Sequence, residues 1–218
     1  MKMCLQIKEM RNQKMKISKY YRSFLRRRLN TENRKRLKNK NFTVICNNCV
    51  GGVIIHELGE RFNSPTVNLF FKAEDYLKFL ENLDYYLKQT IVEVKSEKEY
   101  PVAKLDDIII YFMHYSSFNE AKTTWEKRVA RINKNNLYVI FVQQNDCTEQ
   151  ILEKFDSLPY KHKLALTAKP MTQIKCSYCI PGTAQGNGEV MDLCKYKGKL
   201  TGKRWIDEYD YVGFLNKK

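Results

Sequence analysis

Apolar residues along this chain follow two rhythms. Over 42–46, 108–113 and 137–142 they form short continuous runs rich in Val, Ile, Phe and Tyr, as in "DDIIIYFM" and "LYVIFV", the pattern of strands buried on both faces. Elsewhere the spacing opens to three and four. Tyr76, Phe79, Leu80, Leu83 and Leu87 line one face of a helix over 73–87. The succession predicted is strand 42–46, helix 51–62, strand 66–70, helix 73–87, strands 90–94 and 108–113, helix 118–132, strand 137–142, helix 148–155 and strand 163–167. Such alternation predicts an α/β fold, a three-layer sandwich around a mostly parallel sheet of Rossmann-like or flavodoxin-like kind. Runs 42–46, 108–113 and 137–142 are expected to lie parallel in that one sheet and to share its carboxyl edge.

Ahead of this pattern stands a different one. Ile17, Tyr21, Phe24, Leu25 and Leu29 share a helical face, with Lys19, Arg22, Arg26 and Arg27 largely on the others. This basic amphipathic helix, with a charged linker "TENRKRLKNK", is expected to form a unit of residues 1–41 before an α/β domain of 42–218. Three destinations suit it: an anionic membrane surface reached through residues 14–40, its own domain, or a nucleic-acid backbone.

Charge bears on the choice. The net charge is +15, but residues 1–41 hold 15 Lys and Arg against two Glu, whereas 42–218 hold 24 against 22. The domain is nearly neutral, so no nucleic-acid partner is expected. Seven cysteines, no secretory-signal pattern and no 18-residue apolar run lead to the expectation of reduced thiols and a cytoplasmic protein, peripheral on the inner face of the membrane if the helix binds there.

The stretch "VICNNCVGG" concentrates the candidate chemistry. The pairs Cys46/Cys49 and Cys176/Cys179 have the spacing of zinc ligands, but more than 120 residues separate them and Cys46 falls inside a strand, so no metal is expected. "NNCVGG" has neither a G-x-G-x-x-G nor a Walker pattern. It reads as a strand that turns at Asn47-Asn48-Cys49 and enters a helix through Gly51-Gly52, which sets Cys49 beside free N–H groups of a helix start. Those groups lower a thiol's pKa and can hold an oxyanion. Cys49 is therefore the candidate nucleophile, with Asn47, Asn48, Gly51 and Gly52 expected at the substrate. The alternative is a small buried residue at a helix start.

A base is sought among three histidines. His56 lies seven residues beyond Cys49 in the same helix, about 10.5 Å along its axis. His162 precedes the strand 163–167 and so belongs to the amino edge. His114 follows the run 108–113 and, if that strand joins the sheet, reaches the edge of Cys49; a strand-end histidine without a partner is the alternative. Asp146 is expected to cap a helix through Glu149. Arg128 and Arg131 on helix 118–132 suit an anionic sugar or phosphate, or a solvated face. The Gly-rich loop over 181–192 suits a lid or an ordered surface loop.

The stretches "NNCVGG", "NSPTVNLFFKAEDYLKFLENLDYYL", "YPVAKLDDIIIYFMHY", "EAKTTWEKRVARIN", "DCTEQILEKFDSLPYKHKLALTAKP" and "YDYVGFLN" resemble a bacterial domain family of unknown function, numbered nineteen-nineteen, over about residues 42–215. Its members are commonly labelled exopolysaccharide biosynthesis proteins. Cys49, His114, Trp125 and Arg128 stand on positions of the family pattern, which has serine where this chain has Cys46. The Asn48-Cys49 turn is also similar to that of capsule acyltransferase-like proteins related to Ser/Gly/Asn/His hydrolases, without their Asp-x-x-His block. These resemblances imply a role in exopolysaccharide or capsule synthesis. The expected activity is transfer of an acyl or related group to a glycan or activated sugar, for which acyl-coenzyme A would serve as donor. The alternative is a non-catalytic glycan-binding or accessory protein of the same machinery.

Overall fold

In chain order the helices and strands are α1 (Lys2–Arg36), β1 (Thr43–Cys46), α2 (Cys49–Leu58), α3 (Ala73–Glu81), α4 (Leu83–Tyr86), β2 (Val92–Val94), β3 (Val102–Leu105), β4 (Ile108–Tyr111), α5 (Phe118–Val129), β5 (Leu137–Val142), α6 (Glu149–Ser157), β6 (His162–Thr167), β7 (Ser177–Cys179) and α7 (Tyr211–Leu215). They come from a computed structural model that describes residues 2–198 and 200–217, with side chains from Ser18 onward. Ile17, expected on the apolar face of the first helix, has its side chain outside the described ones.

Strands β1, β5, β6 and β7 form a parallel sheet in that order. Its side chains alternate between two cores, as the two-residue period of a strand requires. Ile45, Val139, Phe141 and Ala165 meet α3, α5, α6 and the apolar side of a smaller sheet. Val44, Cys46, Tyr138, Ile140, Val142, Leu164 and Leu166 meet α2, Leu37 and the C-terminal segment with Ile206, Val212 and Phe214. The fold is thus a mixed α/β sandwich. Because β1 sits at the edge of the sheet, no reversal of strand order opens a crevice beside it, as it does in doubly wound folds.

The expected common sheet is corrected at 108–113. Strand β4 pairs antiparallel with β3, and β3 with β2, in a separate three-stranded sheet. A hairpin through Asp106, at φ 56°, returns the chain at once, and a tight turn can join only antiparallel neighbours. The stretch 66–70, expected as a strand, is a connector. Phe70 pairs with Tyr111 through two backbone bonds of 2.9 and 3.0 Å, and Phe71 N–H donates to Asn47 O at 3.0 Å. Thr66 Oγ1 accepts from Cys46 N at 3.0 Å, so this connector covers the open edge of β1. The predicted helix 73–87 breaks at Asn82, which has φ −131°.

Helix α1 runs unbroken to Arg36, and its second half packs on the domain. Arg26 is 5% exposed. Its Nε donates to Glu57 Oε1 on α2 at 2.9 Å, and its guanidinium also pairs with Asp207. Arg204 Nε donates to the same Glu57 oxygen at 2.8 Å. Gly202 allows the close approach: a Cβ there would lie 2.7 Å from Leu25 Cβ and 2.9 Å from the Arg26 nitrogen, at a φ of 62°. Farther along, Asn33 Nδ2 donates to Tyr211 Oη at 2.9 Å. The expected apolar face is consequently divided. Leu25 and Leu29 are half-buried, whereas Tyr20, Tyr21 and Phe24 are 78%, 50% and 65% exposed.

Removing one member of a buried ion pair strands the other, at about 3–5 kcal/mol. Because Arg204 still meets Glu57 after the change, Arg26→Ala is expected to lower the stability read from urea unfolding by up to that amount, and removal of residues 1–40 to yield aggregated rather than folded protein. A 41–218 fragment with a wild-type unfolding transition would show instead that the domain folds without α1.

Candidate functional site

At the carboxyl edge, β1 ends in two asparagines with separate structural tasks. Asn47 is fully buried. Its Nδ2 donates to Val142 O and its Oδ1 accepts from Val142 N, both at 2.9 Å, so its amide extends the β1–β5 ladder by one step. Asn48 caps α2: Oδ1 accepts from Val50 N at 3.0 Å from an extended φ of −151°, as N-caps do. Its Nδ2 donates to Gln144 Oε1 at 2.7 Å, and Gln144 Nε2 donates to Val190 O at 2.7 Å. Val190 N donates to Gln143 O at 2.9 Å. The Gly-rich loop over 181–192 therefore lies across the end of β5, and these edge amides are bonded to backbone groups and to one another.

Gly51 and Gly52 are buried and closely packed. A Cβ on Gly51 would stand 2.7 Å from Cys46 Cβ, and one on Gly52 would stand 3.0 Å from Val67 Cγ1. Arg128 Nη1 donates to Val67 O at 3.1 Å and Tyr115 Oη at 2.8 Å, with its guanidinium carbon 5.2 Å from the centre of the Phe62 ring. Arg131 Nη1 reaches Phe62 O at 3.5 Å. Both arginines hold the connector after α2. Asp146 pairs with Lys72 at 3.0 Å, while Thr148 takes the expected capping role.

Cys49 does begin α2, but its environment opposes thiolate formation. Burial pushes its thiol up to about 11, and the Asp192 carboxylate adds to the shift. Desolvation outweighs the helix-start effect expected from sequence. The side chain that meets it is Met113, whose Sδ lies 3.9 Å from Sγ. His114 is exposed and follows Met113, so the segment that carries it reaches Cys49 from the antiparallel sheet rather than from a parallel neighbour of β1. Cys46, buried behind, is pushed up to about 12.

A groove of about 1090 Å³ opens at the opposite, amino edge, at Leu137 and His162. Three asparagines fix its floor. Asn136 Nδ2 donates to Asn39 Oδ1 at 2.9 Å, and Asn39 Nδ2 to Leu215 O at 2.7 Å. Asn216 Oδ1 accepts from Lys38 N at 2.8 Å, and its Nδ2 donates to Arg36 O at 2.9 Å, closing the last turn of α1. Tyr138 donates to Lys217 O at 2.5 Å and stacks on His162 at 4.6 Å. Tyr160 donates to Leu80 O at 2.6 Å, and Tyr85 to Asp106 at 2.8 Å. The side-chain amides of Asn82 and Asn135 line the groove without a hydrogen bond to the described residues. Sequence reasoning missed this site. Only the placement of His162 at an amino edge pointed towards it.

Three outcomes follow for the carboxyl edge. With its thiol at about 11, Cys49 is only about a thousandth thiolate at pH 8, so iodoacetamide should label it no faster than a buried thiol; rapid alkylation there would contradict the burial. Because the folded state holds this thiol protonated, its contribution to stability is complete below about 9. It falls away as pH rises towards about 11, a decline that Cys49→Ser should lessen in unfolding measured between those values. Gly51→Ala should cost about 1–3 kcal/mol by forcing α2 off β1.

A protein of Haemophilus influenzae described as uncharacterized is 40% identical over 203 residues, covering 93% of this chain and 96% of the relative. A family model matches residues 20–216, a span that takes in the packed half of α1. The chain belongs to the family described as Domain of unknown function (DUF1919).

Proposed function

We propose that the protein is a non-catalytic carbohydrate-binding accessory of exopolysaccharide or capsule synthesis, and that it holds its glycan in the amino-edge groove. The observation that carries this is the groove itself, a large open cleft whose wall presents fixed amides and tyrosines. Hydroxyl-rich ligands need many oriented donors and acceptors together with flat apolar surface. Asn82 and Asn135 offer free amides, and Tyr85 and Tyr160 offer rings. The polysaccharide setting comes from the resemblance of the sequence to proteins so labelled.

The rival reading is a transferase with Cys49 as nucleophile, His114 as base and acyl-coenzyme A as donor. It would need a thiolate within hydrogen-bond reach of its base. The raised thiol and the Met113 contact speak against it.

The helix supports a setting at the membrane. Among the described residues no helix is long and apolar enough to cross a bilayer. The exposed Tyr20, Tyr21 and Phe24 beside Lys19, Arg27 and Arg28 suit a surface contact with anionic lipid, which supports reading the accessory as a peripheral protein of the cytoplasmic face.

Isothermal titration with oligosaccharides of surface polysaccharides tests the reading. Asn82→Ala and Asn135→Ala should each raise Kd about threefold to tenfold, the worth of one hydrogen bond, while Cys49→Ala binds as wild type. Acyl or glycosyl transfer that disappears in Cys49→Ala would replace this reading with its rival.

A further inference from the structure

The groove is lined by Lys38, Lys40, Lys134, Lys161 and Lys217, against two carboxylates, Glu81 and Asp84. Lys134 is committed to Asp84, and Lys40 to Glu60 outside the groove. Lys38 and Lys161 have no ion-pair partner among the described residues, and Lys217 has only the Phe214 ring, 5.9 Å from its ammonium. These three charges come from different segments: the exit of α1, the start of β6 and the end of α7. The fold therefore gathers like charges around one cleft, at a cost in repulsion that a bound anion would relieve. The positive potential is felt inside. The His162 imidazole, stacked on Tyr138, is held below its ordinary value first by burial and then by Lys161 and Lys217.

We infer that the ligand of this groove is an acidic glycan, a sugar chain that carries carboxylate or phosphate groups. The inference rests on the reading of the groove as a carbohydrate site and narrows it. Ammonium groups on the walls bind the acidic substituents by charge-assisted hydrogen bonds, while the amides and rings take the sugar hydroxyls and faces. A neutral glycan would leave the lysines without partners.

The test uses the full chain and three probes: an oligogalacturonate for the carboxylate, a phosphodiester-linked glycan oligomer for the phosphate, and an isomalto-oligosaccharide as the neutral control. At least one acidic probe is expected to bind, with a Kd that rises about tenfold as salt goes from low to high concentration, and the neutral probe to bind far more weakly. The exposed pair Lys161→Gln with Lys217→Gln should raise the acidic Kd about tenfold with an unchanged thermal midpoint. In nuclear magnetic resonance titrations, an acidic ligand should move the His162 titration to higher pH, since it offsets Lys161 and Lys217. Equal, salt-insensitive binding of the neutral probe would overturn the acidic class while leaving a glycan site in place. Binding of none of the three would overturn the carbohydrate reading itself. A single-stranded oligonucleotide that binds more tightly than either acidic probe would also overturn the inference.

Discussion

The Glu57 carboxylate, enclosed between the guanidinium groups of Arg26 and Arg204, is the interaction on which the arrangement of this molecule depends. It joins three parts of the chain that no strand connects: α1, α2 and the segment before α7. Burying these charges is expensive, and apolar residues of similar shape could stabilise as well. What the ions add is position, since each guanidinium meets the carboxylate in one orientation. Once α1 is fixed, its exit at Lys38 and Asn39 meets Asn216 and Leu215, and both walls of the amino-edge groove are set.

The two edges of the parallel sheet then differ in what they leave open. At the carboxyl edge Asn47 continues the ladder, Asn48 caps α2, and Gln143 and Gln144 hold the Gly-rich loop. Little polar capacity remains for a ligand, and the thiols of Cys46 and Cys49 there are held protonated. At the amino edge, the asparagines are also bonded, but to the chain ends, and they build a floor rather than fill the space. Lys38, Lys161 and Lys217 above them have no ion-pair partner among the described residues, which is why a ligand is sought there.

Much of the fold was legible because burial on two faces writes continuous apolar runs. β5 matches its predicted range, and β1 and β6 lie within a residue of theirs. The same signal misled at 108–113, where "IIIYFM" is as apolar as a central parallel strand but is covered on its faces by α3, α5 and the connector. Periodicity reports burial, not the direction of a neighbour. The helix over 73–87 kept its apolar face across the break at Asn82, so spacing could not reveal it. Asn47 and Asn48 were recognised as a turn, yet whether an amide meets a substrate or a strand depends on what lies opposite. The groove was illegible because Lys38, Lys134, Lys161 and Lys217 are far apart in sequence, and each alone reads as a solvated charge.

Hydrogen exchange of the full chain, with and without a saturating acidic oligosaccharide, tests the central claim most directly, because it reports where a ligand protects the backbone without presupposing the residues involved. The groove account predicts slowed exchange over 37–40, 82–85, 134–137 and 159–162, with 47–52 and 143–146 unchanged. Slowing confined to 47–52 and 143–146 would contradict it and return the site to the edge that carries Cys49.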